Sequence, residues 1–182
     1  MKIKRASNIL ALVLLALSLN GVAASVPSEQ VIAELGKLKK VGQAEMRWLM
    51  FPLYRVALKT PDGRYQPERL PQALHITYHR NIHRDDLITA TDQQWQRLGV
   101  TEEQRAKWLV LLKDIWPSVK RGDSLILTVN KEGKAHFLYN DKVIGALEDK
   151  QFGRSFLNIW LSPKTSQPGI RQRLIGALNE TS

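Results

Sequence analysis

Residues 156–176 read FLNIWLSPKTSQPGIRQRLIG. Apolar side chains recur at helical spacing before and after a turn that is punctuated by proline. The pattern predicts two amphipathic helices, around residues 152–161 and 170–178, joined through Ser162-Pro163 and with Ser166 as the cap of the second helix. Their apolar stripes are expected to face a core.

The rest of the chain predicts strands and helices in blocks. Residues 42–59 are rich in aromatic and β-branched side chains, and a proline near their middle predicts two strands that meet at a bend near Phe51-Pro52. Further strands are expected at residues 74–79, 124–129, 135–139 and 143–147, the last three as an antiparallel meander. Further helices are expected at residues 28–40, 84–98 and 101–116, the last with Thr101 as its N-cap.

These blocks indicate a fold class. Strands that are neighbours in sequence and are joined by tight turns favour an antiparallel sheet, and helices with one apolar stripe must bury it against another layer. We therefore expect an α+β protein with an antiparallel β-sheet and helices packed on one face. We find no internal repeat or linker, so a single domain is expected over residues 25–182.

The N-terminal residues predict export. A basic start at residues 2–5 is followed by an apolar run at residues 9–19 and by small residues at 22–24, which is the pattern of a signal peptide over residues 1–24. The alternative, a transmembrane anchor, needs about 20 apolar residues. We expect a periplasmic protein with no membrane span after cleavage, and its oligomeric state is left open.

Composition excludes several classes of site. The chain has no cysteine, which excludes disulfides, a thiol nucleophile, cysteine-ligated zinc and iron–sulfur clusters. The formal charge of +10 suits an anionic ligand, an anionic membrane surface or nucleic acid. Because the basic residues are scattered and export is expected, we do not expect nucleic acid as a partner.

Metal and hydrolase chemistry are not predicted either. His75 and His79 lie four residues apart in an expected strand, which separates them by about 13 Å, too far to share one ion. The sequence contains neither a Gly-x-Ser-x-Gly elbow nor a glycine-rich phosphate loop. No cofactor is expected.

Arg47 is the candidate for chemistry, because a charge is unexpected within an apolar strand. A buried guanidinium is costly unless it is paired, so Arg47 either meets a carboxylate or faces a cleft that receives an anion. The alternative is an exposed arginine on the edge face of the sheet. Tyr54, Thr77 and Tyr78 are polar-tipped residues of neighbouring strands, and we expect them to share the cleft as ligand-binding residues.

The stretch from residue 42 to residue 176 resembles the bacterial, exported branch of the chalcone isomerase-like proteins. The resemblance rests on short motifs in a fixed order: Tyr54 with Ala57-Leu58, Leu74-x-Ile76-x-Tyr78, Gly122-Asp123, Gly145, Phe156-Leu157-x-Ile159-Trp160-Leu161, Pro163-Lys164-Thr165-Ser166 and residues 171–176. It implies a large antiparallel sheet with helices on one face, which agrees with the fold class expected from the residue patterns.

The resemblance also implies alternatives for function. Enzymatic members close a chalcone to a flavanone with an arginine, a threonine and a tyrosine. Arg47 approximately matches the arginine, whereas Leu49 stands near the position expected for the threonine. Other members are non-catalytic, and some bind fatty acids by pairing the carboxylate with an arginine.

Three hypotheses follow. The leading one is a non-catalytic protein that binds a small amphipathic anionic ligand, such as a fatty acid, in an apolar cleft where Arg47 pairs the head group. The second is an isomerase or lyase-type enzyme of the chalcone–flavanone isomerase kind, with Arg47 as its catalytic residue. The third is a structural or partner-binding protein without a ligand.

Overall fold

The computed structural model describes residues 27–178. Within this range the strands are β1 (Lys39–Trp48), β2 (Phe51–Thr60), β3 (Gln72–Tyr78), β4 (Ser124–Val129), β5 (Ala135–Tyr139) and β6 (Lys142–Leu147). They form one open antiparallel sheet in the order β1-β2-β3-β4-β5-β6. Every strand therefore pairs with its neighbours in sequence, and the expected α+β fold class with an antiparallel sheet is confirmed.

Five helices accompany the sheet in the described range: α1 (Ser28–Gly36), α2 (Arg84–Arg97), α3 (Glu102–Ile115), α4 (Lys150–Leu161) and α5 (Pro168–Leu174). Helices α2 and α3 match the sequence-based bounds to within one residue, and α4 begins two residues earlier than expected. Helix α5 ends at Leu174 rather than near residue 178. Helix α1 ends at Gly36 rather than near residue 40, because β1 already begins at Lys39. Helix α5 begins at Pro168 rather than at residue 170, since proline is well tolerated in the first helical turn.

The main core lies between one face of the sheet and helices α2 to α5. Its centre is an aromatic cluster of six buried side chains: Trp95, Trp108, Trp116, Phe137, Phe152 and Phe156. Most pairs meet edge to face, as for Trp95 and Trp108, whose ring centroids lie 5.3 Å apart, an arrangement that the charge distribution of aromatic rings favours.

The opposite face of the sheet carries a smaller core. Val31 and Leu35 of α1 pack there against Ala73, Ile126 and Leu138. These strand residues alternate with residues of the main core, because successive side chains of a strand point to opposite faces.

Side-chain caps fix the ends of two helices. The backbone N–H of Gln104 donates to the Thr101 hydroxyl at the start of α3, as expected from the sequence, and Asp149 caps α4. The expected cap of α5 is different: Gln167 occupies the N-cap position without a side-chain bond. The Ser166 hydroxyl instead donates to Oε1 of Gln94 over 2.7 Å, so it ties α5 to α2.

Helix α5 approaches β1 very closely at Gly42. A β-carbon at this position would lie 2.0 Å from the carbonyl oxygen of Arg173 and 2.8 Å from that of Leu174. Only glycine leaves room for the helix backbone here.

Among residues 27–178, none of the helices is both long and apolar enough to cross a bilayer. The expected signal peptide, residues 1–24, lies outside the described residues.

Candidate ligand cavity

A cavity of about 580 Å³ opens between the sheet and the helices. Its wall is mainly apolar and comes from both layers: Met46, Leu53 and Ile76 from the sheet, and Leu87, Phe156 and Ile159 from the helices. This size and apolar character are typical of pockets that hold small molecules.

The polar residues of the cavity divide into a rim and an interior. Arg80, Asn81, His83 and Asp86 are exposed and form the rim, in the loop after β3 and the first turn of α2. Arg80 enters none of the ion pairs formed within residues 27–178. The rim therefore presents a guanidinium that is open to a ligand, with Asp86 as the rim carboxylate.

Two tyrosines line the interior side by side. Tyr54 of β2 stands opposite Tyr78 of β3 in the strand register, and their rings meet edge to face with centroids 6.1 Å apart. The indole N–H of Trp160 donates to the Tyr54 hydroxyl over 3.2 Å. The Tyr78 hydroxyl has no hydrogen-bond partner among the described residues, so it is free to donate to a ligand.

Both tyrosines have pKa values above the ordinary tyrosine value. Burial raises the pKa of Tyr54, although the hydrogen bond from Trp160 lowers it in part. Burial also raises the pKa of Tyr78, and the neighbouring Tyr54 raises it further. Both hydroxyls are therefore neutral hydrogen-bond donors at physiological pH.

The other polar side chains described in the interior are either hydrogen-bonded within the protein or buried. The Thr91 hydroxyl donates to the carbonyl oxygen of Leu87 over 2.8 Å, and Gln94 accepts the bond from Ser166. Trp116 also lines the cavity, and its indole N–H is buried without a hydrogen-bond partner in the part of the chain that the structure describes.

Arg47 does not line the cavity. Its guanidinium donates to Glu45 through Nε over 2.8 Å, and its side chain is 62% exposed. The reason is strand alternation: Met46 faces the cavity, so its neighbour Arg47 points to the other face of the sheet. The structure thus shows the exposed edge-face arginine that was the alternative interpretation of this residue.

Thr77 lies on the same outer face as Arg47. It pairs with Arg55 of β2 and Ser124 of β4 in the register, whereas the neighbouring Tyr78 faces the cavity. The structure therefore brings together two of the four predicted site residues, Tyr54 and Tyr78, and places Arg47 and Thr77 elsewhere.

Sequence reasoning missed Arg80 and Trp160. Arg80 lies beyond the end of β3, in the loop before α2, so strand alternation gives no signal for its position. Trp160 follows Phe156 by four residues and therefore shares its helix face. This spacing was a signal that could have found Trp160.

Residues 26–176 match the family described as chalcone isomerase-like. The chain belongs to the chalcone isomerase-like family. A protein of Haemophilus influenzae (strain Rd), described as uncharacterized, is 24% identical to it over 136 residues, which cover 75% of this chain and 67% of that protein.

The chalcone isomerase-like fold also matches a solved structure. The crystal structure of a fatty-acid binding protein of Arabidopsis thaliana superposes with a TM-score of 0.58, covering 78% of this chain and 88% of the plant chain. The two sequences are 10% identical, so the likeness is one of fold.

Residues 27–178 contain no cluster of three or more His, Asp or Glu side chains placed to hold a metal ion. The cavity lining offers apolar contact, tyrosine hydroxyls and the guanidinium at its rim to a ligand.

Proposed function

We propose that this protein binds a small amphipathic anionic molecule, such as a fatty acid, in the cavity and does not transform it. The observation that carries the proposal is an apolar cavity of about 580 Å³ that has two neutral tyrosine hydroxyls in its interior and the Arg80 guanidinium, beside the Asp86 carboxylate, at its rim. Each methylene group moved from water into such a wall contributes about 0.8 kcal/mol. The ligand chain would supply most of the affinity.

Arg80 takes the role that the sequence had suggested for Arg47. It lies two residues beyond Tyr78, and Tyr54 pairs with Tyr78 across the strands. Arg80, Tyr54 and Tyr78 all line the same cavity. A carboxylate held there would accept a charge-assisted hydrogen bond from Arg80 and a neutral one from Tyr78.

The fold likeness supports this class of ligand, because the plant protein of similar fold is a fatty-acid binding protein. Because a signal peptide is expected over residues 1–24, we propose that binding takes place in the periplasm. The isomerase alternative loses the residue on which it rested, since Arg47 lies on the face of the sheet that is turned away from the cavity.

Native mass spectrometry of the purified protein tests the proposal directly. We expect a co-purified lipid, and we expect added palmitate to raise the melting temperature. The proposal fails if the protein carries no lipid and palmitate leaves the melting temperature unchanged.

Two arginine variants form a matched pair for the head-group site. Arg80→Gln should weaken palmitate binding about tenfold or more, because a hydrogen bond to a charged group contributes roughly 1.5–3 kcal/mol. Arg47→Gln removes an exposed arginine from the other face of the sheet and should leave binding unchanged. Equal losses in both variants would show that general basic charge, and not the rim, attracts the ligand.

A further inference from the structure

The turn between β1 and β2 exposes an unusual run of apolar side chains. Trp48, Leu49, Met50 and Phe51, here called the hairpin tip, are 62%, 79%, 83% and 65% exposed. They are four of the eight large hydrophobic residues that are exposed in the described range. Single exposed apolar residues are ordinary, but a contiguous exposed group marks a contact surface.

The residue types of the hairpin tip are also unusual for a two-residue hairpin loop. Two-residue hairpin loops favour Asn and Gly, because their backbone takes positive φ. The β5–β6 loop of the same sheet obeys this rule with Asn140 and Asp141, at φ 46° and 64°. At the hairpin tip, Leu49 adopts φ 54°, a conformation that its side chain disfavours. Neither the turn conformation nor solubility favours leucine there, so the residue suits a contact beyond residues 27–178.

The hairpin tip adjoins two strand residues of the cavity wall. Trp48 pairs with Phe51. Trp48 lies two residues beyond Met46 and Phe51 lies two residues before Leu53, and Met46 and Leu53 both line the cavity. Leu53, which also lines the cavity, accepts a hydrogen bond from the His79 backbone N–H over 2.8 Å. This bond places the neighbouring Arg80, and with it the rim, beside the base of the tip.

Basic side chains flank the tip in sequence. Arg47 directly precedes it and Arg55 lies four residues after it. They are 62% and 54% exposed, and both form ion pairs with Glu45. Arg80 lies at the cavity rim and enters none of the ion pairs among the described residues. Aliphatic and aromatic side chains flanked by arginines suit the interface of an anionic bilayer, where tryptophan sits at the level of the head groups and arginine meets phosphates.

We propose that the hairpin tip inserts into the surface of an anionic phospholipid bilayer and brings the cavity rim to the membrane. A second copy of the chain is a less suitable partner for the tip, because tip-to-tip contact would bring like charges together. Four residues would also bury far less than the 1,200–2,000 Å² typical of a specific interface. Exchange of ligand between cavity and membrane rests on the proposed function, whereas the insertion itself does not.

Co-sedimentation with vesicles tests the proposal. The full chain is expressed in a bacterium, and mass spectrometry establishes that all variants have the same N-terminus. We expect binding to vesicles of phosphatidylglycerol and phosphatidylcholine, and much less to phosphatidylcholine alone. Trp48 is the exposed one of the five tryptophans, since the other four are buried. Its fluorescence should shift to shorter wavelength on insertion, and Trp48→Phe should abolish the shift while binding persists.

The decisive variant changes the two loop residues together, Leu49→Asn with Met50→Gly. These residues suit the turn, so the fold should hold, and vesicle binding should fall at least about tenfold because two apolar side chains are lost. Val110→Gln, which removes an exposed apolar side chain from α3, is the control and should bind vesicles as the wild type does. Equal binding by the loop variant, or no binding by the wild type, would overturn the proposal.

Two further outcomes separate the explanations. A wild-type dimer that becomes a monomer in the loop variant, without vesicle binding, would assign the tip to a second copy and overturn the proposal. Palmitate binding measured without vesicles should be equal in the wild type and the loop variant. Vesicle binding without palmitate binding would contradict the proposed function and support the membrane contact. Palmitate binding without vesicle binding would support the proposed function and contradict the membrane contact.

Discussion

The indole N–H of Trp160 donates to the hydroxyl of Tyr54 over 3.2 Å, between residues that lie 106 positions apart in sequence. The bond joins α4 to β2 and forms part of the cavity wall. It also distinguishes the two interior tyrosines, because Tyr54 accepts a hydrogen bond from the protein and Tyr78 keeps its hydroxyl free in the described part of the chain.

Conservative variants of the two tyrosines should separate stability from binding. Tyr54→Phe removes the acceptor of the Trp160 bond and should lower the free energy of unfolding by about 1 kcal/mol. Tyr78→Phe breaks no hydrogen bond within residues 27–178, so the stability should change little, while palmitate binding weakens. Urea unfolding and calorimetric titration measure the two effects, and equal destabilisation by both variants would contradict the assignment.

Closing the cavity should abolish ligand binding without unfolding the protein. Ala90 of α2 lines the cavity and is exposed, so Ala90→Trp adds a large side chain at the opening with little strain. We expect palmitate no longer to raise the melting temperature of this variant. Gln93→Trp, on an exposed position of the same helix outside the cavity, should respond as the wild type does. A normal response of Ala90→Trp would show that the ligand binds elsewhere.

Gly42→Ala should destabilise the protein strongly. The added carbon would collide with the carbonyl oxygens of Arg173 and Leu174, which belong to backbone and cannot rotate away, so a loss of about 1–3 kcal/mol is expected. Gly36→Ala is the matched control, since a β-carbon there would meet nothing within 4 Å. Thermal unfolding of the two variants compares them, and similar melting temperatures would refute the close approach of α5.

Acid should weaken the fold through Asp123. This carboxylate accepts hydrogen bonds from the hydroxyl of Tyr139 over 2.5 Å and from the side-chain amide of Asn140 over 2.9 Å, and these bonds lower its pKa. A carboxyl group whose pKa is lower in the folded state stabilises the fold at pH values above its pKa in the unfolded chain. This stability is lost as the pH falls through the pKa of the folded state. Asp123→Asn should therefore reduce the stability at neutral pH and flatten its decline below about pH 4.

The urea midpoint as a function of pH measures this effect. Asp114→Asn, which alters an exposed carboxylate of α3, should follow the wild-type curve. If the urea midpoint of Asp123→Asn falls at acid pH as steeply as that of the wild type, other carboxylates control the loss of stability.

The sheet was readable from the sequence because its strands pair in chain order and its turns carry their own signals. Asn140-Asp141 and the bend before Pro52 both mark loops between antiparallel neighbours. Local sequence patterns do not predict which face of the sheet the helices cover. The covered face determines whether Arg47 or Met46 faces the cavity, and it depends on packing between elements that are distant in sequence.

The same limit explains the candidate site. Tyr54 and Tyr78 were expected in one cleft because both carry polar tips on neighbouring strands, and the structure places both in the cavity wall. Arg47 drew attention as a charge within an apolar strand, yet at a hairpin end both faces of a strand are open to solvent. Arg80 attracted none because it lies in a loop, where an arginine is ordinary.

The contact between Gly42 and the carbonyl of Arg173 has a kinetic consequence. Hairpins that join sequence neighbours close short loops and can form early, whereas this contact must close a loop that spans most of the chain, at a larger cost in entropy. We expect β1 and β2 to pair early and α5 to dock on them late. Strand β1, the first of the described strands in sequence, is then among the last to be fully packed.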